Sequence, residues 1–219
     1  DYTPKSLTRM GGTSVQNRIK LARSAAAQGV PAGRKGHVPT LADVARWHDQ
    51  LLAYPHALAY VTDTRGLSLD AIRHFKLGAL RKDGYDWLAI PTIVDDELCM
   101  LKFRNLDPTA PPKMKWRRFA GMRSVMFGAQ DVMEACNDEV YVSEAELDAI
   151  AAWDLGLRPS CASSLGAGNF PEDWREILMP FQRVYVLYDQ LDKPSAEDKQ
   201  AGDAGAEQAA RALGTFRSY

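Results

Sequence analysis

The sequence predicts an α/β protein, in which a lobe with a parallel βαβ sheet packs beside a basic α+β amino-terminal lobe. Two features indicate this class. In the first half, apolar strand patterns at 87–94 and 98–105 flank an acidic turn, as in an antiparallel hairpin. In the last third, strand and helix patterns alternate, as they do in βαβ units with parallel strands. These later segments lie at 140–143, 146–155, 160–163 and 183–188.

Helical patterns fill the segment before the hairpin. We expect helices over 15–28, from Thr40 to about residue 52, over 55–63 and over 68–75. Ser14 and Ser68 stand where helix-capping residues are favoured. The stretch 29–39 has three glycines and two prolines, so it is predicted to be a linker or a basic loop.

Side-chain alternation assigns the two faces of the hairpin. In its second strand, Lys102 and Arg104 fall on one face, whereas Leu101 and Phe103 fall on the other. Three further segments complete the pattern: a basic, aromatic stretch at 113–127, a glycine loop at 165–169 and a final helix over 204–213.

The element order and the charge pattern divide the 219 residues into three predicted parts. They are a basic helical segment with a linker (1–39), a basic lobe (40–138) and the parallel-sheet lobe (139–219). The carboxyl end of the last part is expected to be truncated. A hydrophobic content of 46% and a charged content of 25% are ordinary for a globular protein.

Composition excludes several classes of protein. The longest apolar run, around 184–188, is far shorter than the ~18 residues of a membrane span. Three widely spaced cysteines exclude a disulfide scaffold and a zinc ribbon, and they fit a reducing cytoplasm. There is no Gly-x-Ser-x-Gly elbow and no Walker-A loop, so nothing indicates a serine hydrolase or a helicase. We therefore expect a cytoplasmic protein with no membrane partner.

The net charge of −1 conceals a strong asymmetry. Residues 1–40 and residues 99–123 each hold seven Lys or Arg against one acid. Residues 131–207 hold 17 acids against five bases. This distribution suits a protein that holds a polyanion with its basic parts and metal ions with its acidic part. Solvated charged faces are the simpler alternative.

Two carboxylates stand at the carboxyl ends of predicted parallel strands. Glu144 follows the strand at 140–143, and Asp189 follows the strand at 183–188. Such strand ends share one edge of a sheet, so the two side chains are expected to converge. Hard cations such as Mg²⁺ bind a few carboxylate oxygens together with substrate phosphates. Further acids follow in sequence: Glu146, Asp148, Asp192 and Asp203.

Several of these segments resemble the motifs of one enzyme family. The segment 142–149, Val-Ser-Glu-Ala-Glu-Leu-Asp-Ala, resembles the first motif of the TOPRIM domain, E-G-x-x-D-A. Tyr188-Asp189 together with 203–210 resembles the second motif, and 161–166 resembles the strand and glycine loop between the two. Upstream segments resemble the catalytic core of DnaG-type primases and Twinkle-like primase-helicases; they are 60–68, 72–78 and 101–105.

The resemblance implies a DNA primase, a nucleotidyltransferase that makes short RNA primers on single-stranded DNA from nucleoside triphosphates. It makes Glu144 the catalytic glutamate. The implied ligands of Mg²⁺ or Mn²⁺ are Glu144, Asp189, Asp192 and Asp203. The implied contacts to template and nucleotide phosphates are Lys102, Arg104, Lys113, Lys115, Arg117 and Arg118. Asp148, Gly166 and Gly168 would support the site.

The chain departs from the family's pattern in two places. Ala145 replaces the glycine after the catalytic glutamate, and the Asp-x-Asp pair is broken because Gln190 follows Asp189 with no acid at the next position. Either Asp192 or Asp203 takes the second place; Asp203 is favoured because Ala-Gly follows it, as in the family. The divergent motifs suggest a phage, a plasmid or another mobile element, and a replicative helicase is left open as a partner. Two alternative functions remain: a TOPRIM nuclease using the same acids, and a DNA-binding module that has lost catalysis.

Overall fold

The computed structural model describes residues 37–122, 124–163, 172–188, 205–207, 209 and 211. Its helices are α1 (Leu41–Ala53), α2 (Pro55–Ala59), α3 (Leu69–His74), α4 (Ala129–Glu134), α5 (Glu146–Asp154) and α6 (Glu172–Leu178). Its strands are β1 (Gly78–Lys82), β2 (Tyr85–Val94), β3 (Glu97–Asn105), β4 (Trp116–Arg118), β5 (Glu139–Ser143), β6 (Ser160–Ala162) and β7 (Arg183–Leu187). A π-type turn, Tyr60–Thr64, continues α2. The predicted helix over 15–28 and the glycine loop lie outside the described residues.

Four antiparallel strands, in the order β1-β2-β3-β4, form the first sheet. The predicted hairpin is confirmed as β2 and β3, and a second hairpin joins β1 to β2. Both tight turns place their two central residues at positive φ: 53° and 81° at Asp83 and Gly84, and 55° and 60° at Asp95 and Asp96. Asp-Gly and Asp-Asp suit this geometry because Asp and Gly tolerate left-handed backbone angles that match the twist of the strands.

Helix α1 lies on one face of this sheet. A capping box fixes its start, since Thr40 and Asp43 each accept a hydrogen bond from the other's backbone N–H. Gly78 allows the close approach of β1, because a Cβ at that position would stand 2.7 Å from the Cβ of Trp47. The Trp47 ring then meets Phe103 of β3 edge to face, with the ring centroids 6.1 Å apart.

Three parallel strands, in the order β6-β5-β7, form the second sheet and confirm the predicted βαβ order. Helix α5 connects β5 to β6, and α6 stands between β6 and β7 in the chain. Apolar residues of these strands, including Val140, Val142 and Val184, enter one buried cluster. Helices α4 and α6 were not predicted. The described residues 205–207, 209 and 211 are helical, within the predicted helix over 204–213.

The two sheets share a core. A second buried cluster joins Leu88 and Ile90 of β2 to Leu147 and Ile150 of α5. At the edge of this contact, the Ser68 N–H and Oγ–H both donate to the Asp154 carboxylate, at 2.7 and 2.6 Å. The prediction of an α+β lobe packed beside a parallel-sheet lobe is therefore confirmed. Within the described residues, no helix combines the length and the apolarity that crossing a membrane requires.

Candidate functional site

The carboxyl ends of β5 and β7 lie side by side. Ser143, the last residue of β5, pairs with Leu187, the last residue of β7. Glu144 follows the first strand and Tyr188 follows the second, so each residue comes directly after the last pair of the two strands. Burial, with a smaller contribution from the charge of Glu144, raises the pKa of the Tyr188 phenol to about 12. Glu144 thus lies close to the position that directly precedes Asp189.

A cluster of acids surrounds the start of α5. Glu146 and Asp148 are in its first turn, where the helix dipole favours negative charge. Glu146 is buried, with 1% of its surface exposed, whereas Glu144 and Asp148 are half-buried. Among the residues that the structure describes, no group of three or more His, Cys, Asp or Glu side chains is placed to hold a metal ion.

Five of the residues assigned to the site lie outside the described ranges: Gly166, Gly168, Asp189, Asp192 and Asp203. Convergence of Asp189 on Glu144 therefore stays a prediction, supported by the position of Tyr188. The donor atoms that are described fit the implied ion, because Glu144 and Asp148 offer carboxylate oxygens, which Mg²⁺ and Mn²⁺ prefer.

Lys102 reaches from the antiparallel sheet to the start of α5. Its Nζ lies 2.6 Å from Glu146 Oε1, so the two side chains form an ion pair. The side chain of Lys102 is 19% exposed and that of Glu146 is 1% exposed, so the pair is mostly shielded from water. By sequence, Glu146 is one of the further acids near Glu144; in the structure, its charge is matched by Lys102.

Arg104 and Trp116 extend this basic face of the antiparallel sheet. They are directly paired across β3 and β4, and the Arg104 guanidinium lies 5.1 Å from the centre of the Trp116 ring. Arg104 Nε is buried without a hydrogen-bond partner, while Trp116 is 38% exposed. Lys113 and Lys115 are exposed just before β4. We call the set Lys102, Arg104 and Trp116 the inner face, because it is on the side of the sheet that meets α5.

Arg117 and Arg118 do not extend the inner face together. Arg117 pairs with Phe103 and therefore points to the opposite side of the sheet, where its guanidinium lies 4.9 Å from the Trp87 ring centre. Arg118 is at the end of β4 and contacts Ser124 through its guanidinium. The basic residues that the sequence groups into one patch are thus divided between two surfaces, because successive strand residues face opposite ways.

Two features of the site were not predicted: the burial of Glu146 against Lys102, and the position of Tyr188 near Glu144. A carboxylate two residues after a strand-end Glu, at the first position of a helix, gives no signal that it will be buried against a lysine. Tyr188 carried a usable signal, since it occupies the same place after β7 as Glu144 does after β5.

The chain has the fold of one class of protein, the catalytic cores of DnaG-type primases. It is similar to the primase fragment of the bacteriophage T7 primase-helicase protein, with 15% identity, a TM-score of 0.54 and coverage of 72% of this chain and 61% of that one. It is also similar to the Escherichia coli primase catalytic core, with 16% identity, a TM-score of 0.56 and coverage of 81% and 70%. A third similar structure is the DnaG primase catalytic domain bound to single-stranded DNA, with 14% identity, a TM-score of 0.54 and coverage of 92% and 69%.

The resemblance found in the sequence is thus confirmed at the level of the fold. The chain spans about three fifths of the T7 fragment, 61% of its length. No family model and no curated protein matches the sequence.

Proposed function

We propose that this chain is the catalytic core of a DNA primase, which joins nucleotides into a short RNA primer on a single-stranded DNA template. The observation that carries the proposal is the Lys102–Glu146 ion pair, because it holds the basic inner face against the start of α5, two residues from Glu144. A polymerase must bring polyanions together beside carboxylates, and this arrangement provides both kinds of surface. The solved structure of a similar fold with single-stranded DNA supports the choice of template.

Glu144 is assigned the central role. It would take the proton of the attacking 3′-hydroxyl or help to hold the divalent ion. Asp189, with Asp192 or Asp203, would be the further ligands of Mg²⁺ or Mn²⁺, and Asp148 would support them. Such ions supply Lewis-acid stabilisation of the reacting phosphates.

The inner face is assigned to phosphates and bases. Arg104 has one buried, unpaired N–H at its ε position, and its guanidinium is held in place by stacking on Trp116. Lys113 and Lys115 are exposed beside it and would contact the template backbone or the incoming nucleotide. Lys102 would add positive charge to the same face, although Glu146 neutralises most of that charge.

The test uses one substitution at each end of β5. Glu144→Gln removes the charge at the carboxyl end; Glu139→Gln makes the same change at the amino end, where Glu139 pairs with Arg183. With single-stranded template, labelled nucleoside triphosphates and Mn²⁺ or Mg²⁺, we expect Glu144→Gln to reduce primer synthesis by about 10²-fold or more. Glu139→Gln should stay within about twofold of the unsubstituted chain, since its charge is remote from the reacting atoms.

Product analysis separates the alternatives. Template cleavage without new primer would identify a nuclease. Salt-dependent DNA binding with no product from the unsubstituted chain would identify a binding module. Either result, or equal synthesis by the two Gln variants, would overturn the proposal.

A further inference from the structure

A cavity of about 460 Å³ opens on the side of the antiparallel sheet that faces away from the inner face. Its walls are largely aromatic: Trp47 of α1, Trp87 of β2, Phe103 of β3, and Phe119 just after β4, with Leu80 of β1. Strand alternation separates it from the inner face, because Phe103 lies between Lys102 and Arg104 in the chain and points the other way.

The aromatic walls are held in fixed positions. The indole N–H of Trp87 is already satisfied, since it donates to the Lys82 carbonyl at 3.1 Å. Trp47 and Trp87 are almost fully buried, at 8% and 2% exposure, so their positions are fixed by the surrounding core. Rigid, preformed ring surfaces bind planar groups at low entropic cost.

The rim of the cavity is cationic. Its lining cations are Lys82 and Arg117, whereas Arg118, which also borders the cavity, pairs with Lys102 and has its side chain on the inner-face side. None of the described residues that line it carries a carboxylate. The Arg117 guanidinium lies over the Trp87 ring, which makes a planar cationic platform at the mouth. Just outside, Asp83 in the β1–β2 turn accepts from Arg117 Nη1 at 3.0 Å and partly neutralises this charge.

Planar apolar walls below a cationic rim match the chemistry of a nucleotide. A nucleobase stacks on aromatic and guanidinium surfaces, and its phosphate pairs with Arg and Lys. The cavity volume is within the range of ~300–1,000 Å³ that is typical of small-ligand sites. We propose that this cavity binds one nucleotide unit, either a free nucleotide or an unpaired nucleotide of a single strand, at a site separate from the strand-end carboxylates. The inference goes beyond the polymerase function and does not depend on it.

Binding is measured on the full 219-residue chain in EDTA, which suppresses metal-assisted binding at the carboxylates. ATP, titrated by calorimetry, probes the free nucleotide; a fluorescein-labelled hexathymidylate, followed by anisotropy, probes the single strand. Saturable binding of either probe that depends on the rim residues supports the site, because the inner face would bind a strand without them. The probe that binds in this way identifies the source. Binding in EDTA requires no primer synthesis, so a failed polymerase assignment leaves this test intact.

Rim substitutions locate the site. Arg117→Gln should weaken binding by about fivefold or more, and Lys82→Gln by about twofold to fivefold, through loss of phosphate pairing. Asp83→Asn should tighten binding by about twofold to fivefold, because it releases Arg117 from its carboxylate partner. This change also keeps the turn, since Asn-Gly is favoured where Asp-Gly stands. Arg73→Gln is the matched control, because Arg73 is an exposed cation on α3 paired only with Asp70 across its own helix.

The gain expected of Asp83→Asn keeps the test decisive even where a loss variant folds poorly. Binding of neither probe would overturn the proposal, as would Kd values for Arg117→Gln and Asp83→Asn that move no further than that of Arg73→Gln. Displacement of a bound probe by an acidic, tyrosine-containing peptide but not by excess unlabelled nucleotide would point to a protein partner, and it would also overturn the proposal.

Discussion

Replacing Lys102 by Met removes the positive partner of a buried carboxylate while keeping most of the side-chain volume. Glu146 is only 1% exposed, so its charge would remain in the interior without compensation. Breaking a fully buried pair from one side typically costs about 3–5 kcal/mol. Because Lys102 is 19% exposed and water can reach that end of the pair, we expect the lower limit, about 3 kcal/mol of unfolding free energy. Urea denaturation followed by circular dichroism measures it.

The double variant Lys102→Met/Glu146→Met shows whether the loss of stability comes from the unpaired charge of Glu146. Replacing both partners by apolar residues is often neutral, so the double variant should lose no more than about 1 kcal/mol. Lys115→Met, at an exposed lysine directly before β4, should change stability by no more than about 0.5 kcal/mol. If Lys102→Met is no more destabilising than Lys115→Met, the ion pair does not hold the sheet against α5. In the stable double variant, primer synthesis then reports what the Lys102 charge contributes to activity.

Two further changes test the local geometry. The Thr40 backbone N–H lowers the pKa of Asp43, so the stabilising contribution of this carboxylate is complete above its unfolded pKa of about 3.9 and is lost as the pH falls. Asp43→Asn should therefore cost about 1–2 kcal/mol at pH 7, and its difference from the unsubstituted chain should shrink below about pH 4 in acid titrations of stability. Gly128→Ala should cost about 3 kcal/mol or more, because φ is 75° and the new Cβ would stand 2.3 Å from the Ser160 carbonyl oxygen. Gly84→Ala, at φ 81° with open space around it, should cost only about 1–2 kcal/mol, and equal thermal shifts for the two Ala variants would contradict this account.

Elements with clear apolar periodicity or a capping residue could be predicted from the sequence. Elements that depend on pairing with another part of the chain could not. The β2–β3 hairpin and the parallel strands follow from apolar periodicity, and Ser68 was correctly identified as a cap. Strand β1 was missed although Asp83-Gly84 is a favourable hairpin turn, because Gly-Ala-Leu-Arg-Lys is short and begins with a residue that weakens strands.

In the candidate site, too, local features could be predicted and tertiary contacts could not. The strand-end position of Glu144 follows from the βα pattern, since Ser143 ends β5 and α5 begins at Glu146. The pairing of Glu146 with Lys102 cannot be inferred from this pattern, because Lys102 belongs to another sheet and only tertiary packing brings the two together. The side taken by Arg117 depends on how β4 pairs with β3, and a three-residue strand has no periodicity from which to infer it.

The Ser68–Asp154 contact links secondary structure to tertiary structure. Ser68 Oγ accepts from the Ala71 N–H, which caps α3, while the same hydroxyl and the Ser68 N–H donate to Asp154 at the end of α5. Fraying of α3 and separation of the parallel sheet therefore both disturb hydrogen bonds of Ser68, beside a core cluster to which both sheets contribute. The two halves of the molecule are thermodynamically coupled and should melt in a single cooperative transition, so that the acidic strand ends and the basic sheet form together or not at all.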